Sequence, residues 1–195
     1  MKTLVQIGSN IGNDHFFHYC DQLKDPHNIH LIEPNPELIP ELQKNYTNLH
    51  ILHNICFHNI GIVTEIYNDN ILYLYDNHTH SSLLRRKSYD KSLKQIIFTP
   101  VLFDDFCILN KIETIDLLSI DTEGFDYEIL YSLNINKINI LKIYFELWLH
   151  PDDDLNYKIR SGPNFLPIVL KKYTSYDLSK ITLDNQPSYC LRKNE

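Results

Sequence analysis

Thr3-Leu4-Val5-Gln6-Ile7-Gly8-Ser9-Asn10-Ile11-Gly12 is the stretch that decides the fold. A short, apolar, β-branched run stopped by a glycine reads as a buried strand. Two glycines four residues apart then let the backbone turn tightly and let a ligand approach the main chain. Working outward, residues 14–23 read as a helix and residues 29–32 as a second buried strand, ended by Glu33-Pro34. Pro36 belongs at a first helical turn, and Leu38, Leu42 and Tyr46 follow at helical spacing. Residues 49–52 read as a third strand. The β-α-β-α-β alternation predicts a parallel sheet with right-handed crossovers.

The middle is less regular. Residues 64–67 and 71–75 fit a hairpin or an irregular insertion, and 76–90 read as a polar loop carrying His78, His80, Ser81 and Ser82 that covers a site. Residues 96–102 read as a strand and 103–112 as a short helix. The clearest later strand is 115–120, apolar and ended by Asp121. A helix at 126–133, a strand at 141–145 ended by Glu146, a helix at 165–173 and two final strands at 175–178 and 188–192 complete the pattern, the last two joined by a turn around 184–187. No repeat or linker interrupts it, so the expectation is one α/β domain over residues 1–195.

The composition excludes several classes of function. With 195 residues and 43% hydrophobic content the chain can bury a sizeable core. A net charge of −7 argues against nucleic acid or an anionic membrane as partner. Cys20, Cys56, Cys107 and Cys190 form no CxxC pair, so there is no zinc signature and free thiols are expected. No run of about 18 apolar residues exists, and glycine arrives too early for a signal peptide; a soluble, cytoplasmic protein is the expectation. Alanine is absent while Ile, Asn, Tyr and Lys abound, which fits an AT-biased genome and carries no chemistry.

In an open parallel sheet, ligands bind beyond the carboxyl ends of the strands. The residues placed there are Gly8 to Asn13, Glu33, Asn54, Asp121 with Glu123, and Glu146. Asn10 stands where the dinucleotide fingerprint GxGxxG has its second glycine, so that motif is absent. Glu33, about 20 residues past the glycine turn, is placed to accept hydrogen bonds from both hydroxyls of a ribose. Asp121 and Glu123 suit a general base, a metal ligand or the partner of a cation. A helix cap explains one of the two and not both. His150 is a further candidate base.

These residues resemble a known family. Gln6-Ile7-Gly8-Ser9-Asn10-Ile11-Gly12, Ile32-Glu33-Pro34-Asn35-Pro36 and Leu118-Ser119-Ile120-Asp121-Thr122-Glu123-Gly124-Phe125-Asp126 look like the three best-marked blocks of FkbM-type methyltransferases. Weaker likenesses at Asn59-Ile60-Gly61, Ser81-Ser82-Leu83, Phe103-Asp104-Asp105-Phe106 and Tyr144-Phe145-Glu146 follow in the same order. The resemblance implies a Rossmann-like class I methyltransferase fold: a mostly parallel seven-stranded sheet, last strand antiparallel, with helices on both faces. It implies methyl transfer from S-adenosylmethionine (SAM), commonly to an oxygen of a sugar or another small hydroxyl-bearing acceptor. Gly8, Ser9, Asn10 and Gly12 would cradle the methionine part of SAM, Glu33 the ribose, and Asn54 would lie near the adenine. Asp121 would face methyl transfer and is the first choice of base, with Glu123, Glu146 and His150 behind it.

Gln6 departs from the family pattern, which has Asp there, and so offers no charge to the cofactor's ammonium. The family often carries an extra N-terminal segment that helps form the acceptor pocket. Acceptor recognition is therefore expected from the 76–90 loop or from a partner subunit, a second copy of the chain included. Clustered carboxylates also suit Mg²⁺, whose participation the pattern leaves open. Two other classes stay in play: a binding or scaffold domain that has lost turnover, and a nicotinamide-dependent oxidoreductase.

Overall fold

Strand β1 (Lys2–Ile7) sits at the centre of a seven-stranded sheet. It lies between β2 (His27–Ile32) and β9 (Leu117–Ile120) and is parallel to both. Outside them, β3 (Asn54–His58) pairs parallel with β2, and β11 (Lys142–Glu146) parallel with β9. β13 (Gln186–Lys193) runs antiparallel between β11 and β12 (Tyr176–Leu183), giving the order β12-β13-β11-β9-β1-β2-β3. The computed structural model describes residues 1–66, 70–75, 81–83, 94–146, 166–183 and 186–194. Within them the mostly parallel sheet and its antiparallel last strand match the class I methyltransferase architecture expected.

The alternation of side chains along each strand sorts them into two cores. Leu4, Ile29, Leu31 and Leu117 pack with α1 (His15–Asp21), α2 (Ile39–Asn45) and a 3₁₀ turn at Thr47–Ile51. Val5, Ile7, Leu118, Ile120 and Ile143 pack on the other face with α3 (Phe103–Leu109), α4 (Asp126–Ser132) and α5 (Leu166–Lys172). Polar side chains interrupt the first face. Gln6 and Ser119 are fully buried and are neighbours in register across β1 and β9.

Four expectations are corrected. Residues 49–52 are not the third strand. Leu42, Tyr46 and Leu49 continue one helical stripe into the core, whereas Ile51 is 90% exposed, so the apolar run follows a helical period and ends in a 3₁₀ turn. The strand is Asn54–His58, and Asn54 therefore opens it instead of following it. Of the two readings of 64–67 and 71–75, the irregular insertion holds over the hairpin among the described residues, since Thr64 to Ile66 form no strand. β5 (Ile71–Leu74) pairs antiparallel with β6 (Lys94–Ile97), while β4 (Gly61–Val63) pairs parallel with β7 (Pro100–Leu102).

The apolar run 96–102 is thus two strands with different partners, because Phe98 turns inward between them. Its ring covers Gly61, where a Cβ would lie 2.3 Å from it. The run 115–120 is also divided: β8 (Thr114–Ile115) pairs with β10 (Asn139–Ile140), and Asp116 leaves the ladder to accept from the Thr3 N–H at 2.8 Å.

Candidate functional site

The glycine turn stitches three strand ends together. Gly8 and Ser9 both donate their N–H to the Ile32 carbonyl at 3.0 Å, and Asp121 N–H donates to the Ile7 carbonyl at 2.9 Å. Gly8 has φ +84°, and a Cβ there would lie 1.8 Å from the Asp121 carbonyl oxygen, so no other residue fits without moving β9. Asn10, also left-handed at φ 47°, points its N–H at Glu33 Oε2, 2.8 Å away. Asn35 N–H meets the other oxygen, Oε1, at 2.8 Å. Glu33 is buried, and loss of solvent pushes its carboxyl up to about 7 against the pull of those two donors. A carboxylate has about four lone-pair sites, so each oxygen keeps capacity for a hydroxyl donor.

Beyond β9, Asp121-Thr122-Glu123-Gly124 makes a second tight turn, with Glu123 at φ 52° and Gly124 at φ 104°. Asp126 organises it. Its Oδ1 accepts from the Thr122 N–H at 2.7 Å and from the Thr122 hydroxyl, and its Oδ2 accepts from the Glu146 N–H at 3.1 Å. Neither Asp121 nor Thr122 caps α4, so capping does not account for these residues. The Asp121 carboxyl is held well above the ordinary carboxylate range, first by loss of solvent and then by the fields of Asp126, Glu146, Glu123 and Asp14. Burial also raises Asp126, to about 6.

The two turns face each other across a cavity of about 270 Å³. Gly8, Asn10, Gly12, Glu33, Asp121 and Glu123 line it, together with Asp14 and Thr122. Its apolar wall includes Leu38, Ile62, Leu72 and Leu83, so the small β-pairs of the middle segment close one side. Ser81 lines it too, and the neighbouring Ser82 hydroxyl donates to the Glu123 carbonyl at 2.9 Å, fastening residues 81–83 to the second turn. Among the described lining residues none is Lys or Arg.

The remaining candidates fall elsewhere. Ser9 is fully buried beneath the turn, its hydroxyl directed at the Gln6 carbonyl at 3.5 Å. Asn54 lies at the opposite, amino end of the strands, donating to Asn28 Oδ1 at 3.1 Å where β2 and β3 begin, because the third strand starts at this residue and does not end before it. Glu146 ends β11 behind Asp121, accepting from the Ser188 hydroxyl at 3.2 Å, and does not line the cavity. His150, His78, His80 and most of the 76–90 loop lie outside the described residues. Among the described residues no group of three His, Cys, Asp or Glu could hold a metal ion, and no helix there is long and apolar enough to cross a membrane. Asp14 carries no ligand signal in the sequence, where it opens a helix, and the apolar wall is hidden there because its residues come from four separate segments.

Solved structures share this fold. The O-methyltransferase TomG from Streptomyces achromogenes, crystallised with SAM, superposes with a TM-score of 0.57 at 9% identity, over 100% of this chain and 74% of its own. Fibrillarin from Aeropyrum pernix, with natively bound SAM, gives 0.51 at 11% identity, over 98% and 66%. The N-terminal domain of human METTL16, in complex with SAH, gives 0.51 at 10%, over 100% and 61%. No curated protein matches the sequence. The family model of the methyltransferase FkbM domain matches residues 6–166, from the strand before the glycine turn to the start of α5, and by that match the chain belongs to the FkbM methyltransferase family.

Proposed function

We propose that the cavity binds SAM and that the protein transfers its methyl group to an oxygen of a sugar or another small hydroxyl-bearing acceptor. One observation carries the cofactor reading. The cavity presents a buried, doubly oriented Glu33 at one strand end and Asp14, Asp121 and Glu123 around it, with no cationic side chain among its described lining residues. That lining fits a ligand with a ribose diol and a net positive charge. It disfavours a nicotinamide dinucleotide, whose pyrophosphate would face carboxylates without a cationic partner among the described residues.

When bound, SAM supplies an electrophilic methyl group on a sulfonium sulfur. Glu33 accepts from the ribose hydroxyls, and the left-handed turn at Asn10 holds that carboxylate in place. The apolar wall takes the base and excludes water. Asp121 accepts the proton that the acceptor hydroxyl loses as its oxygen gains the methyl carbon. Loss of solvent first, and then the surrounding carboxylates, make the ionised Asp121 a stronger base than an isolated aspartate. Oxygen as the acceptor atom, and a sugar as its bearer, rest on the family likeness.

The test has two stages. Calorimetry with SAM, SAH and NAD is expected to show binding of the first two only; binding of NAD alone would make the protein an oxidoreductase. Labelled SAM with a panel of sugars, nucleotide sugars and glycans then identifies the acceptor. Asp121→Asn is expected to keep SAM affinity within a few-fold and to lower turnover about 10²–10⁴-fold; wild-type turnover in that variant removes Asp121 from its role.

A further inference from the structure

Gln6 is fully buried on β1, in register with Leu31 and Ser119, on a face packed mainly with leucine, isoleucine and aromatic side chains. Its carboxamide nitrogen donates to Asp14 Oδ2 at 2.6 Å. Its carboxamide oxygen is buried and meets no donor among the described residues. The pairing sets the amide's orientation, because a carboxylate can only accept. Asp14 is fixed from the other side as well: its Oδ1 caps α1, accepting from Phe16 and Phe17 N–H at 3.0 Å each. With both oxygens engaged, the carboxylate cannot swing away, and it lines the cavity.

We propose that Asp14 is the residue that recognises the cationic amino group of the methyl donor's amino-acid end, and that Gln6 is the positioning residue that holds it there. This rests on the SAM reading of the cavity. Asp14 follows the glycine turn on the α1 side, away from Glu33, which is held on the α2 side by Asn35 and Asn10. The ligand's two recognition features, diol and ammonium, therefore meet carboxylates on opposite sides of one turn. A carboxylate at position 6 would press against Asp14 at hydrogen-bond distance, two like charges in a buried site. The amide at position 6 removes that repulsion and leaves a single negative charge, eight residues along the chain, with Asp121 close enough to feel it.

The test compares two probes, SAH and 5′-methylthioadenosine, which keeps adenosine and the sulfur but lacks the amino-acid end. Asp14→Asn suits it because asparagine caps helices as well as aspartate does, and its amide can donate to a turned-over Gln6. The variant is expected to bind SAH about 10- to 100-fold more weakly, the loss of one charge-assisted contact, with methylthioadenosine binding unchanged. Asp14→Ser, a second capping residue, is expected to behave alike. Gln6→Leu keeps the charge and frees the carboxylate, and is expected to lose several-fold in SAH affinity alone. Wild-type SAH affinity in Asp14→Asn, or equal loss of both probes, overturns the assignment. Glu33→Gln, by contrast, is expected to weaken both probes together. If wild-type protein binds neither probe, the cofactor reading itself falls with this one; if it binds both and Asp14→Asn does not discriminate, only the role of Asp14 falls.

Discussion

Glu33 shows how far a single residue was legible. Its distance from the glycine turn and its place at a strand end indicated a ligand-facing carboxylate, and the structure puts it on the cavity with Asn10 and Asn35 N–H on its two oxygens. Its ionisation was not legible, because burial is a property of the packed molecule. With the carboxyl raised to about 7, ribose binding to the ionised form is coupled to proton release. SAM affinity is therefore expected to rise as pH increases through about 7 and to level off above it, and in Glu33→Gln to be weaker and flat. Calorimetry across that range checks the slope; an unchanged slope in the variant assigns the titration to another group. Asp14 was opaque for the opposite reason. A helix cap is a sufficient account of an aspartate before His15-Phe16-Phe17, and nothing local shows that Gln6 also reaches it.

At the scale of elements, strands β1, β2, β9 and β11 and helices α1 to α5 follow from apolar period and punctuation. The misread elements share one physical cause: short apolar runs look alike until their partners are known. Leu49 to Leu52 could satisfy a strand or a helical turn, and the choice was made by Leu42 and Tyr46, whose stripe Leu49 extends. The consequence is measurable. Leu49→Ala is expected to cost about 2–4 kcal/mol of unfolding free energy, as for a buried leucine. Ile51→Ala is expected to stay within about 0.5 kcal/mol, since its side chain faces water. Urea melts of both variants distinguish the turn from a strand, in which alternate neighbours 49 and 51 would share a face and a cost.

For the molecule as a whole, titratable groups set opposing pH dependences. His30 and His58, side by side on β2 and β3, share a hydrogen bond of 3.0 Å and stack against each other beside Phe106. Burial first, and then the neighbouring His58, lowers His30 to about 4. Between that value and its ordinary value the unfolded chain binds more protons, so this pair costs stability as pH falls. Glu33, raised in the fold, works the other way: its contribution is present below its ordinary value and is lost as pH rises through about 7. A His30→Leu variant is expected to lose the acid-side decline, a difference on the order of 1–2 kcal/mol between about pH 6.5 and pH 4. Denaturant midpoints at those two pH values check it, and an equal decline in both proteins clears the histidine pair.

The strand order also governs when the sheet can be finished. β13 follows the other six strands of the sheet in sequence yet lies inside, with β11 on one side and β12 on the other. During synthesis the five parallel strands can assemble as they emerge, but β11 keeps a bare edge until residues 186–193 leave the ribosome and pair with it. The nascent protein is thus committed to a late, long-range closure. Arrest of translation just short of β13 should yield a sticky, protease-sensitive intermediate in which the half of the sheet bearing Glu33 is already built.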